Sequence, residues 1–236
     1  VRFKEEARAI KAMGFVATKM KVGLGPRADI KLAEAVRRGI GNDFRFMVDA
    51  NHCYTTSDAF EVGRALEDLD AYWFEEPIAP EDLQGYRELR AGLNVNISGG
   101  EAEFNRWGWR SLLESRGLDI AQPEVCALGG ISEYLRVLAL CHAHFTPVVN
   151  HVWGSAVAVA TNMHLLASMP DLPGGMNPWE PMLEFDTTDN KFRDELLETP
   201  LEIQAQVART NGYIALPEGP GLGITPDRDF LQYFAL

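Results

Sequence analysis

The chain has 236 residues, with 22 lysines and arginines against 34 aspartates and glutamates, a formal charge of −12. A hydrophobic share of 46% and a charged share of 24% are those of a chain that buries a large core, not of a disordered one. The acidic balance and the lack of a Lys/Arg cluster exclude a nucleic-acid binder, and no apolar run approaches the roughly 18 residues of a membrane-spanning helix.

Taken in order, residues 3–13 carry apolar residues at helical spacing and stop at Gly14. Residues 17–22 alternate and run into Gly23-Leu24-Gly25-Pro26, a strand and a turn. The beat then repeats: helix 29–39, strand 44–49, helix 56–69 behind a Thr/Ser/Asp cap cluster, strand 71–75, helix 82–91, strand 95–99, helix 106–115. It continues with strand 118–121, helix 131–143, strand 147–150, helix 155–167 and a last short strand at 176–179. Residues 211–217 read as a further short strand before a Gly/Pro turn. Strands alternating with helices of this length mean βαβ units and a parallel sheet.

The seven strands recur every 23–30 residues or so, near the roughly 30-residue repeat of a (β/α)₈ barrel. A dinucleotide-binding sheet is disfavoured, because no Gly-x-Gly-x-x-Gly follows the first strand. The expected fold is an α/β TIM-type barrel lacking its first strand, since the chain opens on a helix. Residues 1–236 read as one domain, about 1–185 the barrel and 186–236 a C-terminal extension. Cys53, Cys126 and Cys141 are an odd number in no metal-ligand spacing, and the charged opening residues do not form a signal peptide. A cytoplasmic location is the expectation.

A parallel barrel keeps its active site at the C-terminal ends of the strands. Those ends carry Lys19 and Lys21, Asp49 with Asn51, Glu75 with Glu76, Glu101, Glu124 and His151, and Glu180 follows the last strand. Asp49, Glu75 and Glu101 close three successive strands, 26 residues apart at each step. Each alone would pass as a solvated strand end. Three in register, on strands about 4.8 Å apart, would repel strongly unless protonated or given a cation, and hard oxygen ligands suit Mg²⁺.

Lys19 and Lys21 are two apart on a strand and so point to one side, into the barrel mouth. A lysine held beside a second cation near a metal is expected to have a depressed pKa and to serve as a base; an exposed pair at a strand edge is the alternative. His151 lies on the opposite wall, and Glu124, one strand earlier, is placed to accept its Nδ1 proton and orient the ring. His142 and His144, beside Cys141 at a helix end, are assigned no role.

These residues, in this order, resemble the enolase superfamily, mandelate racemase subgroup. The stretches that carry the resemblance are Lys19-Met20-Lys21, Val48-Asp49-Ala50-Asn51, Trp73-Phe74-Glu75-Glu76-Pro77, Gly99-Gly100-Glu101, Gln122-Pro123-Glu124 and Asn150-His151-Val152-Trp153-Gly154. Asp49-Ala50-Asn51-His52, Asn177-Pro178-Trp179-Glu180-Pro181 with Glu184-Phe185-Asp186, and residues 217–224 are similar to the galactarolactone and 3,6-anhydro-L-galactonate cycloisomerases. Sugar-acid dehydratases share most of the same residues.

The resemblance implies Mg²⁺ on Asp49, Glu75 and Glu101, and an acid sugar or its lactone as the small-molecule partner. Lys19 would help stabilise an enediolate, and Lys21 and His151 would stand on opposite faces of the α-carbon. Asn51 and Glu180 would bind substrate, Glu180 through the substrate carboxylate. β-Elimination with ring opening would follow, with a dehydratase, a racemase or epimerase, or an inactive barrel fragment as alternatives. A homo-oligomer fits what the family tends to do. The family carries an N-terminal α+β capping domain that this sequence does not contain. It also has Asp where this chain has Glu124, a change that moves the carboxylate by about a bond length and puts the tautomer of His151 in question.

Overall fold

The computed structural model describes residues 2–170 and 180–235. Helix α1 (Arg2–Ala12) leads into β1 (Ala17–Lys21), α2 (Pro26–Ile40), β2 (Arg45–Asp49), α3 (Thr56–Asp68) and β3 (Trp73–Glu75). Then come α4 (Leu83–Gly92), β4 (Asn96–Gly99), α5 (Asn105–Ser115), β5 (Ile120–Ala121), α6 (Ile131–Ala143) and α7 (Ala156–Ala167). The five strands among the described residues are parallel, in the order β1-β2-β3-β4-β5. Among the described residues, no helix is long and apolar enough to cross a membrane.

The period of two along each strand sorts side chains to two faces. Phe46, Val48, Phe74 and Ile97 face the helices and join Leu66, Leu89, Trp109 and Val137 in the main core. Met47, Trp73, Ile120 and Val149 form a separate cluster on the other face, with Ala17 and Met182 against it. The register then places Lys21 beside Asp49, Asp49 beside Glu75 and Glu75 beside Ser98, one layer above that cluster. Packing therefore ends where the polar residues begin.

Buried Arg37 of α2 secures the opposite end of the sheet. It donates to the carbonyls of Leu69 (2.8 Å), Gly41 (3.0 Å), Phe44 (2.7 Å) and Asp70 (2.7 Å), which precede β2 and β3. At the site end, the Thr55 hydroxyl caps α3 by accepting from the Asp58 amide at 3.2 Å.

Two expectations change. Residues 147–150 form a single parallel bridge, Ala121 with Val148, instead of a full strand. Ladder bonds there run from Ala121 N to the Pro147 carbonyl (2.9 Å) and from Val149 N to the Ala121 carbonyl (3.0 Å), and β5 itself is two residues long. Residues 211–217 are not a strand: the Ala215 amide goes to the side chain of Gln206 (2.9 Å) and the Tyr213 carbonyl accepts from Thr210. Instead the tail forms α8 (Lys191–Asp194), α9 (Ile203–Thr210) and α10 (Arg228–Tyr233), with an antiparallel bridge between Leu197 and Pro226. The strand expected at 176–179 lies outside the described residues.

Candidate active site

Asp49 and Glu75 are the last residues of β2 and β3, and Glu101 lies two residues beyond β4. One oxygen from each lies within 4.8 Å of the others. Glu101 reaches the group because the chain turns at Gly100, whose φ is 117°. A β-carbon there would stand 2.4 Å from the Trp109 ring, so only glycine fits.

The two buried acids have different surroundings. Glu75 accepts from Trp73 Nε1 (2.9 Å) and Gln122 Nε2 (2.8 Å) on one oxygen and from Lys19 Nζ (2.5 Å) on the other. Burial, with Asp49 and Glu184 nearby, still raises its pKa to about 7 against the pull of Lys19 and Gln122. Burial would raise Asp49 as well, but the ammoniums of Lys19 and Lys21 and the Asn51 amide (2.9 Å) hold it below its ordinary value.

The donor set fits a hard divalent cation. Asp49 Oδ2 and Glu101 Oε2 are buried and accept no well-directed hydrogen bond. Asp49 Oδ2 meets the ion-pair approach of Lys21 Nζ at 2.8 Å and of Lys19 Nζ at 3.5 Å, and Glu101 Oε2 that of His151 Nε2 at 3.2 Å. Carboxylate oxygens brought together in this way are what Mg²⁺ takes.

Lys19 starts one layer lower, level with Met47. Its stem carries Nζ up to Glu75 (2.5 Å), Glu184 (2.5 Å) and Asp49 (3.5 Å). In the metal-free chain Lys19 is not depressed. Burial lowers Lys19, but Glu75, Glu184 and Asp49 outweigh it and raise the group, so it stays an ammonium donor. Lys21 is 60% exposed along its side chain and bridges Asp49 Oδ2 (2.8 Å) and Asn51 Oδ1 (2.6 Å).

His151 presents Nδ1 to Glu124 Oε2 at 2.9 Å and Nε2 to Glu101 at 3.2 Å. Burial would lower its pKa, but Glu124, Glu184 and Glu101 raise it to about 9. Glu124 is lowered in turn: burial opposes, and the bonds from His151 and from the Cys126 amide (2.8 Å) prevail.

Glu180, expected to bind substrate, is exposed, and its carboxylate accepts from the Tyr213 hydroxyl at 3.2 Å. Glu184, four residues on, is the one that reaches Lys19 and accepts the Val152 amide at 2.8 Å. Both acids lie in the stretch resembling the cycloisomerases, so the signal was present but could not say which one turned inward. His52 is a second omission: its Nε2 lies 2.5 Å from Glu76 Oε2. Glu76 is fully buried, and burial, then Glu101 and Asp49, raise its pKa to about 8. Asn51, His52 and Glu76 all hold left-handed φ, at 39°, 65° and 38°, the backbone strain that gathers at functional loops.

The profile of the enolase C-terminal domain-like family matches residues 2–230. The chain belongs to the enolase superfamily. A similar relative is the D-galactarolactone cycloisomerase of Agrobacterium fabrum, 41% identical over 226 residues, covering 96% of this chain and 58% of the relative. Among solved structures, the 3,6-anhydro-D-galactonate cycloisomerase of Zobellia galactanivorans superposes with a TM-score of 0.88 at 39% identity. That match covers 98% of this chain and 62% of the other. The L-talarate dehydratase of Polaromonas sp. JS666, complexed with Mg and L-glucarate, superposes at 0.81 with 25% identity over 98% of this chain and 58% of that one. This enolase-superfamily domain thus spans about 60% of the length of the proteins it resembles.

Proposed function

We propose that the domain abstracts the α-proton of an acid-sugar carboxylate with Mg²⁺ bound, and then opens a ring by β-elimination. The observation that carries this reading is the meeting of Asp49, Glu75 and Glu101 between Lys21 on one side and His151 on the other. Held by those three carboxylates, Mg²⁺ supplies Lewis acidity toward the substrate carboxylate.

This chain's own residues supply the rest. Lys19, kept protonated by Glu75 and Glu184, donates to the oxygen on which charge develops. Lys21 stands at the rim, and in its neutral amine form its Nζ takes the α-proton and becomes the ammonium, breaking the C–H bond. The electron pair moves to form the enediolate and then expels the β-oxygen of a lactone or anhydro ring. His151, with its raised pKa, carries a proton on Nε2 for that leaving oxygen when it departs as an alkoxide. The resulting enol tautomerises to a 2-keto-3-deoxy acid. Asn51 sets Lys21 at 2.6 Å, and Glu184, in place of Glu180, is the carboxylate beside the substrate's acid group. A dehydratase is the second reading, favoured by the likeness to the L-talarate dehydratase, in which a free hydroxyl leaves by the same steps.

Proton NMR in D₂O with Mg²⁺, on sugar-acid lactones, anhydro sugar acids and open-chain acids, tests the assignment. A 2-keto-3-deoxy product from a ring substrate, lost in Lys21→Ala, supports the cycloisomerase. Product from open-chain acids alone moves the assignment to dehydratase. Absence of both α-proton exchange and product from every acid overturns the enzyme reading.

A further inference from the structure

We propose that Asp29 and Tyr54, two residues outside the carboxylate cluster, form a tie that sets where Lys21 stands. The proposal rests on the reading of Lys21 as the group at the α-carbon. Asp29 lies in the first turn of α2 and is 1% exposed. Its Oδ2 accepts from the amides of Gly23 (3.2 Å) and Gly25 (3.0 Å), and its Oδ1 from the amide of Leu24 (3.2 Å). The hydroxyl of Tyr54 completes the set at 2.7 Å. Three successive amides can turn onto one carboxylate because Gly23 and Gly25 hold φ of 139° and 101°.

The three amides belong to the loop leaving β1, directly after Lys21, and Tyr54 belongs to the loop leaving β2, three residues after Asn51. One buried carboxylate therefore joins the same two loops that the Lys21–Asn51 bond joins. The β1–β2 backbone pairing ends nearby, with the Val22 amide on the Asp49 carbonyl at 2.9 Å. A lysine with a 60% exposed side chain gains little fixation from packing, so its position depends on the backbone that carries it and on its partner. Asp29 and Tyr54 hold both, and act as positioning residues.

Cys53 offers a readout independent of catalysis. Its thiol is exposed, and a β-carbon at Gly23 would stand 3.9 Å from its Sγ, so the loop lies against it. Cys126 is also exposed, so the measurements use the whole chain with Cys126→Ser; Cys141 is buried. Tyr54→Phe removes a single hydroxyl and keeps the ring beside Phe74, and Asp29→Asn weakens the whole nest. Three quantities are read: the rate of Cys53 with a disulfide reagent, competitive acetylation of Lys21 by mass spectrometry, and kcat and KM for α-proton exchange.

Tyr54→Phe is expected to raise the Lys21 acetylation rate several-fold. A displacement near 1 Å at Lys21 lowers kcat by about 10²-fold, with KM and Mg²⁺ affinity unchanged. Circular dichroism checks that each variant is folded, and Tyr54→Phe alone decides the matter if Asp29→Asn is not. Labelling unchanged at Lys21 overturns the proposal, as does faster labelling with kcat intact. If the parent chain exchanges no α-proton, the functional reading fails, and Lys21 labelling still decides whether the tie exists.

Discussion

His151 Nδ1 meets Glu124 Oε2 at 2.9 Å, although the glutamate is one methylene longer than the aspartate of the family pattern. The extra length is absorbed locally: the second carboxylate oxygen turns back onto the Cys126 amide at 2.8 Å. One side chain thus closes its own loop and orients the ring. Glu124→Asp should shorten both reaches at once, lowering kcat by about 10-fold to 100-fold. The pKa of His151, followed by its ring NMR resonances, should fall back from about 9 toward its ordinary 6.5. An unmoved His151 titration would mean that Glu101 and Glu184 hold it without Glu124.

The metal-free chain should lose stability as pH rises from neutral. His151 has a folded pKa raised to about 9, so its contribution is complete below about 6.5 and disappears as pH climbs through 9. A shift of that size corresponds to about 3 kcal/mol. Glu75, raised to about 7, acts in the same direction between its ordinary 4.5 and 7, because the folded state holds the extra proton. Asp49 and Glu124, both lowered, stabilise above the ordinary carboxylate range and withdraw that support only in stronger acid. Urea melts at closely spaced pH values should show the decline, and His151→Asn should flatten it between 7 and 9.

Mg²⁺ should stabilise the fold through the three carboxylates. At a concentration 100 times its Kd, a ligand of the native state adds about 2.7 kcal/mol, a rise in Tm of roughly 5–10 °C for a chain of this size. Glu101→Gln should abolish the Mg²⁺-dependent rise while leaving the Tm of the metal-free chain nearly unchanged, since Glu101 is only partly buried. A Glu101→Gln chain that still gains stability from Mg²⁺ would place the cation elsewhere.

Lys21→Ala should separate catalysis from folding. Its side chain is 60% exposed, so the substitution costs little stability, whereas loss of a positioned base lowers kcat by about 10²-fold to 10⁴-fold. Arg37→Ala should do the opposite. It leaves the carbonyls of Leu69, Gly41, Phe44 and Asp70 without their donor, a loss of roughly 3 kcal/mol or more, read from denaturant melts. If the Arg37→Ala melt matched the parent's, water would have to be replacing the guanidinium.

The amino-acid sequence by itself determined the alternation of strands and helices and the identity of the strand-end acids. Period-two patterning and the 26-residue spacing of Asp49, Glu75 and Glu101 are local properties, written into each segment. Helix 131–143 was legible to the residue because Gly130 and the apolar spacing mark its limits. The tail was not, since residues 211–217 have a strand's composition but give their backbone groups to the side chains of Gln206 and Thr210. Only tertiary structure decided that Glu184, not Glu180, turns to Lys19, and that Glu124 still reaches His151. It also decided the protonation of Lys19, because a pKa depends on which charges meet in space. Three carboxylates from three different segments surround that ammonium, and no segment carries the others' charges in its own sequence.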